Sequence, residues 1–209
     1  MRRARRAGLV LLAALAPLPG RAQYLSADEG RVLSTVTDHA CLELRDDLMG
    51  CEAVIILGRP EAGTADVLIY PNLLADAGAE PLALARGAAF FGRAFGQQPR
   101  IEPVREGVFR LVSEQVGIGR SPWEMSIGVA WRDGTFVVAG LTYTTWDRTD
   151  GRELVCDVNF RTGDWTRIVA GVEESGEGPP VRLPFEEWHH TQDLPAPCRA
   201  ALWRFHTAE

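Results

Sequence analysis

Lysine is absent from this sequence of 209 residues, so every basic side chain is an arginine. This usage is typical of a GC-rich genome. Acidic residues outnumber basic ones by 28 to 22, and the formal net charge is −6. A surface of this charge repels phosphate backbones and anionic lipid headgroups, which argues against a nucleic-acid or membrane-surface partner.

The signatures of common catalytic and cofactor sites are also missing. No Cys-x-x-Cys or Cys/His spacing of a zinc site occurs. Neither Ser113 nor Ser121 lies in a G-x-S-x-G elbow. The glycine-rich residues 117–120 lack the lysine and the following helix of a phosphate-binding loop. The sequence therefore favours a protein without catalytic activity and without a cofactor.

Residues 1–22 have the features of a cleaved signal peptide. Four arginines in the first six residues precede an apolar run, residues 7–18, that is too short to span a bilayer. Gly20 and Ala22 are the small residues expected before a cut after Ala22. The paired arginines are compatible with twin-arginine export, but the residues after them lack the polar and aromatic partners of that signal. The general secretory route is therefore favoured.

Cleavage would leave a strongly acidic chain outside the cytoplasm. The leader holds five arginines and no acidic residue, so 17 arginines and 28 acidic residues remain, with a net charge of −11. No later segment approaches transmembrane length, and we expect no stable membrane insertion after cleavage. The expected location is the periplasm or the exterior of the cell.

Four cysteines predict two disulfides in such an oxidising compartment. They are Cys41, Cys51, Cys156 and Cys198. Three connectivities are open, and loop entropy alone does not choose among them. We favour Cys41 with Cys51 and Cys156 with Cys198, because each pair then lies within one half of the chain.

An amphipathic helix is predicted near the start of the mature chain. Ser26 and Glu29 fit a capping box, and Gly50 is placed to end the helix. The apolar stripe comprises Val32, Leu33, Val36, Ala40, Leu44 and Leu48. One tension is visible, because a helix extending to Leu48 would hold Cys41 too far from Cys51 for a disulfide. The predicted fold class is α+β, mainly antiparallel β, with this N-terminal helix packed on a β-meander sheet.

The strongest structural signal is a β-hairpin around Asp133 and Gly134. Residues 124–132 and 135–143 flank this dipeptide, which supplies two positive φ angles to a tight turn. The register then pairs Arg132 with Thr135, Trp131 with Phe136, Val129 with Val138 and Ile127 with Gly140.

Further strands are predicted on both sides of this hairpin. Residues 51–57 and 65–70 indicate a strand pair, and residues 152–160 and 165–170 complete a four-strand meander. Residues 171–184 are predicted to be a solvated loop. We expect one domain over residues 23–209, with residues 92–107 as an internal boundary or a long loop.

Two stretches resemble a group of uncharacterised exported bacterial proteins. They are residues 113–124 and residues 156–163, and the likeness covers roughly the C-terminal half of the chain. The resemblance implies a periplasmic location and a shared domain. It brings no activity, ligand or catalytic residue.

A loop with an arginine and a tryptophan is the main candidate binding site. Residues 117–123 contain Arg120 and Trp123 between two strands, and loops on a rigid sheet are where binding residues concentrate. Trp146 and Arg148 are expected at the same edge. Alternatively, the loop is a bulge and Trp123 fills the core. This site motivates the first hypothesis, a non-catalytic envelope protein that binds another protein or a cell-wall component.

A second hypothesis, a metal-assisted hydrolase of the cell envelope, depends on Glu186, His189 and His190. These residues carry metal-ligand side chains, and on a helix Glu186 and His189, or Glu187 and His190, would share a face. The segment lies between proline-containing loops, and no third ligand is identifiable. A solvated polar segment is therefore the favoured interpretation.

Overall fold

Two antiparallel sheets make up most of the structure, a computed structural model that describes residues 30–31, 33–46, 50–71 and 80–207. The smaller sheet has four strands in chain order. They are β1 (Val36–Leu42), β2 (Glu52–Arg59), β3 (Thr64–Tyr70) and β4 (Ala83–Phe90). The predicted leader, residues 1–22, and the capping box of Ser26 and Glu29 lie outside the described residues.

The larger sheet is a seven-strand meander with one short additional strand. The meander comprises β5 (Arg100–Arg105), β6 (Val108–Gln115), β7 (Trp123–Arg132), β8 (Thr135–Trp146), β9 (Glu153–Asn159), β10 (Asp164–Val169) and β11 (Val172–Glu177). The short strand β12 (Leu183–Pro184) pairs with β8 beside Val137 and Val138, where β9 no longer pairs. A 3₁₀ helix (Phe185–Glu187) and the C-terminal helix α1 (Ala196–Thr207) follow. The predicted meander is confirmed and is longer than expected.

The predicted fold class, with an N-terminal helix packed on a sheet, is wrong. Residues of the predicted helix form strand β1, and Cys41 lies opposite Ala53 of β2. The Asp38 carboxylate also accepts a hydrogen bond of 2.7 Å from the Ile101 amide in β5. Pairing with β2 and this link to β5 override the helical spacing, because helix propensity is a weak preference that tertiary contacts outweigh. The helix that packs on the sheet is the C-terminal α1.

The predicted Asp-Gly hairpin is confirmed. Asp133 has a φ of 47° and Gly134 a φ of 80°, as a tight hairpin turn requires. Three of the four predicted cross-strand pairs are present: Arg132 with Thr135, Trp131 with Phe136, and Val129 with Val138.

A β-bulge at Ala139 makes the fourth predicted pair wrong. Beyond the bulge, Ile127 lies opposite Leu141 instead of Gly140. The extra residue shifts the alternation of side chains in β8 by one position. Leu141 therefore joins the buried face of the sheet and is only 2% exposed.

A single buried cluster contains residues of both sheets, the 3₁₀ helix and α1. Phe109 of the larger sheet meets Phe185 of the 3₁₀ helix edge to face, with ring centroids 6.4 Å apart. Trp188 is buried and donates from Nε1 to the Ala88 carbonyl at 2.8 Å. The smaller sheet and α1 therefore share in covering one face of the larger sheet.

Both predicted disulfides are confirmed. Cys41 and Cys51 have Cα atoms 5.3 Å apart, and Cys156 and Cys198 have Cα atoms 5.5 Å apart. Cys41 lies on the surface at the edge strand, whereas Cys156 and Cys198 are fully buried between β9 and α1. The second disulfide therefore attaches the C-terminal helix to the core.

The prediction of a loop over residues 171–184 is wrong, because this segment contains β11 and β12. Strand β11 pairs with β10 along its whole length and carries Glu173, Glu174 and Glu177. Charged side chains are typical of an edge strand, where they discourage pairing with another chain. The chain passes from the smaller to the larger sheet at residues 91–99.

Candidate functional site

Three loops meet where the strands of the larger sheet end, on the side opposite the Asp133-Gly134 turn. We call this surface, formed by residues 91–99, 116–122 and 147–152, the loop edge. The Val116 amide donates to the Gly96 carbonyl at 2.9 Å, and the Arg148 amide donates to the Arg120 carbonyl at 3.0 Å. The structure thus brings together the two segments in which the sequence placed Arg120, Trp123, Trp146 and Arg148.

Asp147 is the centre of the loop edge, and sequence reasoning gave it no role. It is only 4% exposed. Its Oδ2 accepts a hydrogen bond of 2.7 Å from Arg120, and its Oδ1 accepts one of 2.7 Å from the Thr149 amide. The Arg120 guanidinium and then the Thr149 amide stabilise the charged carboxylate and lower the pKa of Asp147 from 3.8 to about 2.

The candidate side chains at this edge mostly hold the protein together. Arg148 donates from its guanidinium to the Gly119 carbonyl at 3.0 Å and to the Val116 carbonyl. Arg120 is paired with Asp147, although 64% of its side chain remains exposed. Both arginines therefore fasten one loop to the next, and a direct binding role for them remains a prediction.

Trp123 packs against the core instead of extending from the loop. Its ring is half-buried and stacks on Tyr143 at 6.4 Å with an interplanar angle of 20°. The ring of Phe90 also packs against Trp123, with the two centroids 5.5 Å apart and the planes tilted by 59°. Burial raises the pKa of Tyr143 to about 12, because desolvation disfavours the charged phenolate. Trp146 is half-buried, and its amide donates to the Pro122 carbonyl at 3.3 Å.

Two exposed apolar side chains at the loop edge were missed by sequence reasoning. Phe95 is 95% exposed and Ile118 is 53% exposed. The backbone around Phe95 is well held, because Gln97 is buried and its side-chain oxygen accepts from the Ala94 amide at 3.1 Å. The sequence feature that could have identified Phe95 was a phenylalanine inside a polar, glycine-rich segment without the periodicity of a strand or a helix.

Glu186 and His190 are bonded to the backbone of strand β4, and His189 contacts His190. The Glu186 carboxylate accepts from the Leu84 amide at 3.4 Å, and His190 Nδ1 lies 2.9 Å from the Gly87 carbonyl. The two imidazole rings stack with centroids 5.1 Å apart. Desolvation lowers the pKa of His190, and its bond to the Gly87 carbonyl opposes that effect. His190 therefore stays neutral over more of the acidic range than an exposed imidazole would.

Within the described part of the chain, no group of three or more His, Cys, Asp or Glu side chains could hold a metal ion. Nothing in the arrangement of Glu186, His189 and His190 favours the metal-assisted hydrolase. The described residues likewise include no helix long and apolar enough to cross a membrane.

No protein-family model, no curated protein and no solved structure matches this chain. A function must therefore be inferred from the geometry of the loop edge and from the predicted leader.

Proposed function

We propose that this chain is an exported, non-catalytic binding protein that captures another protein or a cell-wall component through the loop edge. Export to the periplasm or the exterior is supported by the leader features of residues 1–22 and by two disulfides. Disulfides persist in oxidising compartments and are rare in the cytosol. The likeness to exported bacterial proteins points to the same location.

The observation that carries the binding role is the exposure of Phe95 at a well-held loop. An aromatic ring that is 95% exposed gains nothing from the protein's own core. Ile118, on the neighbouring loop, is also more than half exposed, and the Gly117 backbone packs against the Phe95 carbonyl. Large side chains at the centre of an interface supply most of its binding energy, so these two residues are suitable anchors.

The rigidity of the loop edge supports the same conclusion. Arg120 with Asp147, and Arg148 with the carbonyls of Gly119 and Val116, fix the backbone before any partner arrives. A surface ordered in advance loses less conformational entropy on binding than a flexible loop does. The structural role of the two arginines therefore contributes to binding indirectly.

Capture experiments with single variants test this proposal. The immobilised mature protein is incubated with a detergent extract of the cell envelope and, separately, with purified peptidoglycan, and bound material is quantified. We expect Phe95→Ala to reduce capture about tenfold or more, and Ile118→Ala to reduce it less, because hot-spot aromatics contribute most.

The matched control is Trp203→Ala on the C-terminal helix. Trp203 is 68% exposed and belongs to none of the loops of the loop edge, so its removal should leave capture unchanged. Equal capture by the wild type and Phe95→Ala would contradict the proposal. An equal loss from Phe95→Ala and Trp203→Ala would indicate nonspecific adhesion and would also contradict it.

A further inference from the structure

A cavity of about 580 Å³ lies at the opposite end of the larger sheet from the loop edge. Four of the residues that line this cavity are arginines, and one lining residue, Asp133, is acidic. We call it the arginine cavity. The four are Arg105, Arg132, Arg161 and Arg182.

The floor of the arginine cavity is apolar and belongs to the outward face of the sheet. Val108, Ala130 and Val137 stand side by side on β6, β7 and β8. Their neighbours along the strands, including Val129 and Phe136, point to the opposite face and join the core. Ala130 and Val137 are only 1% and 8% exposed, so the side chains around the cavity already cover most of this floor, and Val108 is its partly exposed residue.

The arginines of this cavity are not neutralised by the protein. Arg182 pairs with Asp133 at 3.3 Å, but both side chains are more than half exposed, and such pairs are weak. Among the residues that the structure describes, the single acceptor of Arg132 is a backbone carbonyl, that of Trp131. Over the described residues, the side chains of Arg105 and Arg161 make no hydrogen bond or ion pair. Four arginines against one acid, in a chain where acids outnumber bases, create a local positive potential.

A second cavity adjoins the first and is mostly apolar. It has a volume of about 310 Å³ and includes Phe160, Trp165 and Leu183 in its wall. Asn159 and Val181 line both cavities. Val181 is 49% exposed, and its amide is fixed by a bond of 2.7 Å to the Phe160 carbonyl. An apolar side chain therefore stands at the boundary between the charged cavity and the apolar one.

We propose that the arginine cavity binds an amphipathic anion, with a carboxylate or phosphate head and an alkyl chain. The guanidinium groups present the paired donors that suit the two oxygens of such a head. The alkyl chain lies against Val108 and extends toward Val181, which are the accessible apolar side chains of the cavity. The cavity volume falls in the range of small-molecule sites. This site is separate from the loop edge and goes beyond the proposed capture function.

Calorimetric titration of the mature protein with dodecyl phosphate, below its micelle concentration, tests the site. We expect saturable binding that the uncharged dodecyl maltoside does not reproduce and that inorganic phosphate reproduces only weakly. The double variant Arg105→Gln and Arg161→Gln should bind at least tenfold more weakly, because charge-assisted hydrogen bonds to the head are lost.

Two further variants separate the head from the chain. Val181→Ser should weaken dodecyl phosphate binding severalfold and leave the weak phosphate binding unchanged. Arg110→Gln is the matched control, because Arg110 is exposed on the same face of β6, does not line the cavity and has no side-chain partner in the described ranges. Circular dichroism melting curves verify that each variant is folded.

The results distinguish the site from general attraction of anions to arginine. Absence of dodecyl phosphate binding, an equal loss from Arg110→Gln, or equal affinity for inorganic phosphate would each overturn the proposal. Sedimentation with phosphatidylglycerol vesicles then identifies the source of the ligand. Binding to vesicles that depends on Arg105 and Arg161 indicates a lipid headgroup in the bilayer, and binding only to the monomer indicates a free amphiphile.

Discussion

The two disulfides should contribute unequally to stability, because they close loops of different length. Cys156 and Cys198 are separated by 42 residues, and Cys41 and Cys51 by 10. The restriction of the unfolded chain corresponds to about 4 kcal/mol for the longer loop and about 2.7 kcal/mol for the shorter one. Cys156 and Cys198 are also fully buried, so their replacement by alanine removes packing in addition. We expect a difference of at least about 1.3 kcal/mol between the paired variants.

Urea unfolding of two double-alanine variants measures this difference. Cys156→Ala with Cys198→Ala should lower the free energy of unfolding more than Cys41→Ala with Cys51→Ala does. The variant of the shorter loop is the control, since it removes the same two sulfur atoms where Cys41 is exposed and Cys51 is half-buried. Equal losses, or a larger loss from the pair at Cys41 and Cys51, would refute the reasoning from loop length and burial.

Two further predictions concern a close backbone approach and a buried carboxylate. Gly87→Ala should cost about 2 kcal/mol in urea unfolding, because a Cβ at its φ of 57° would lie 2.3 Å from His189 Nε2. Gly128→Ala, which has nothing within 4 Å, should change stability by less than about 0.5 kcal/mol, and an equal cost would contradict the steric argument. The lowered pKa of Asp147 means that its bond to Arg120 stabilises the fold above pH 3.8 and is lost as the pH falls through about 2. The free energy of unfolding, measured in steps from pH 3.8 down to about 2, should decline less in Asp147→Asn than in the wild type. Identical declines in the two proteins would contradict the stabilising role of this ion pair.

Local signals in the sequence were reliable where two adjacent residues decide the structure. The Asp133-Gly134 turn needs only two positive φ angles in succession, and the hairpin follows. The bulge at Ala139 was missed, although the pattern contained its sign. The apolar positions of β8 change phase there, from Phe136 and Val138 before it to Leu141 after it.

The N-terminal segment was wrongly predicted to be a helix because contacts with residues distant in the sequence determine its secondary structure. Helical spacing in residues 32–48 is compatible with strand β1 because β2 and the Ile101 amide of β5, which donates to Asp38, supply partners from elsewhere in the chain. The distance required between Cys41 and Cys51 was the one sequence observation that opposed a helix. It was correct, since the chain folds back after Leu42 and brings the two Cα atoms to 5.3 Å.

The candidate site was predictable in position but not in the roles of its residues. Alternating turns of a meander place the Arg120 loop and the Arg148 turn at one end, which spacing alone indicates. Whether an arginine is available to a ligand depends on a buried carboxylate 27 residues away, Asp147. The exposure of Phe95 likewise depends on tertiary packing, and its position in a polar, glycine-rich segment was the one local sign of it.

The consecutive pairing of the cysteines has a consequence for how the protein matures. A polypeptide that leaves a translocation channel N-terminus first presents Cys41 and then Cys51, which can join at once. Cys156 then emerges and finds no free thiol to pair with until Cys198 follows, 42 residues later. For the export that we propose, oxidation in order of emergence would yield the native bonds directly, without reshuffling by an isomerase.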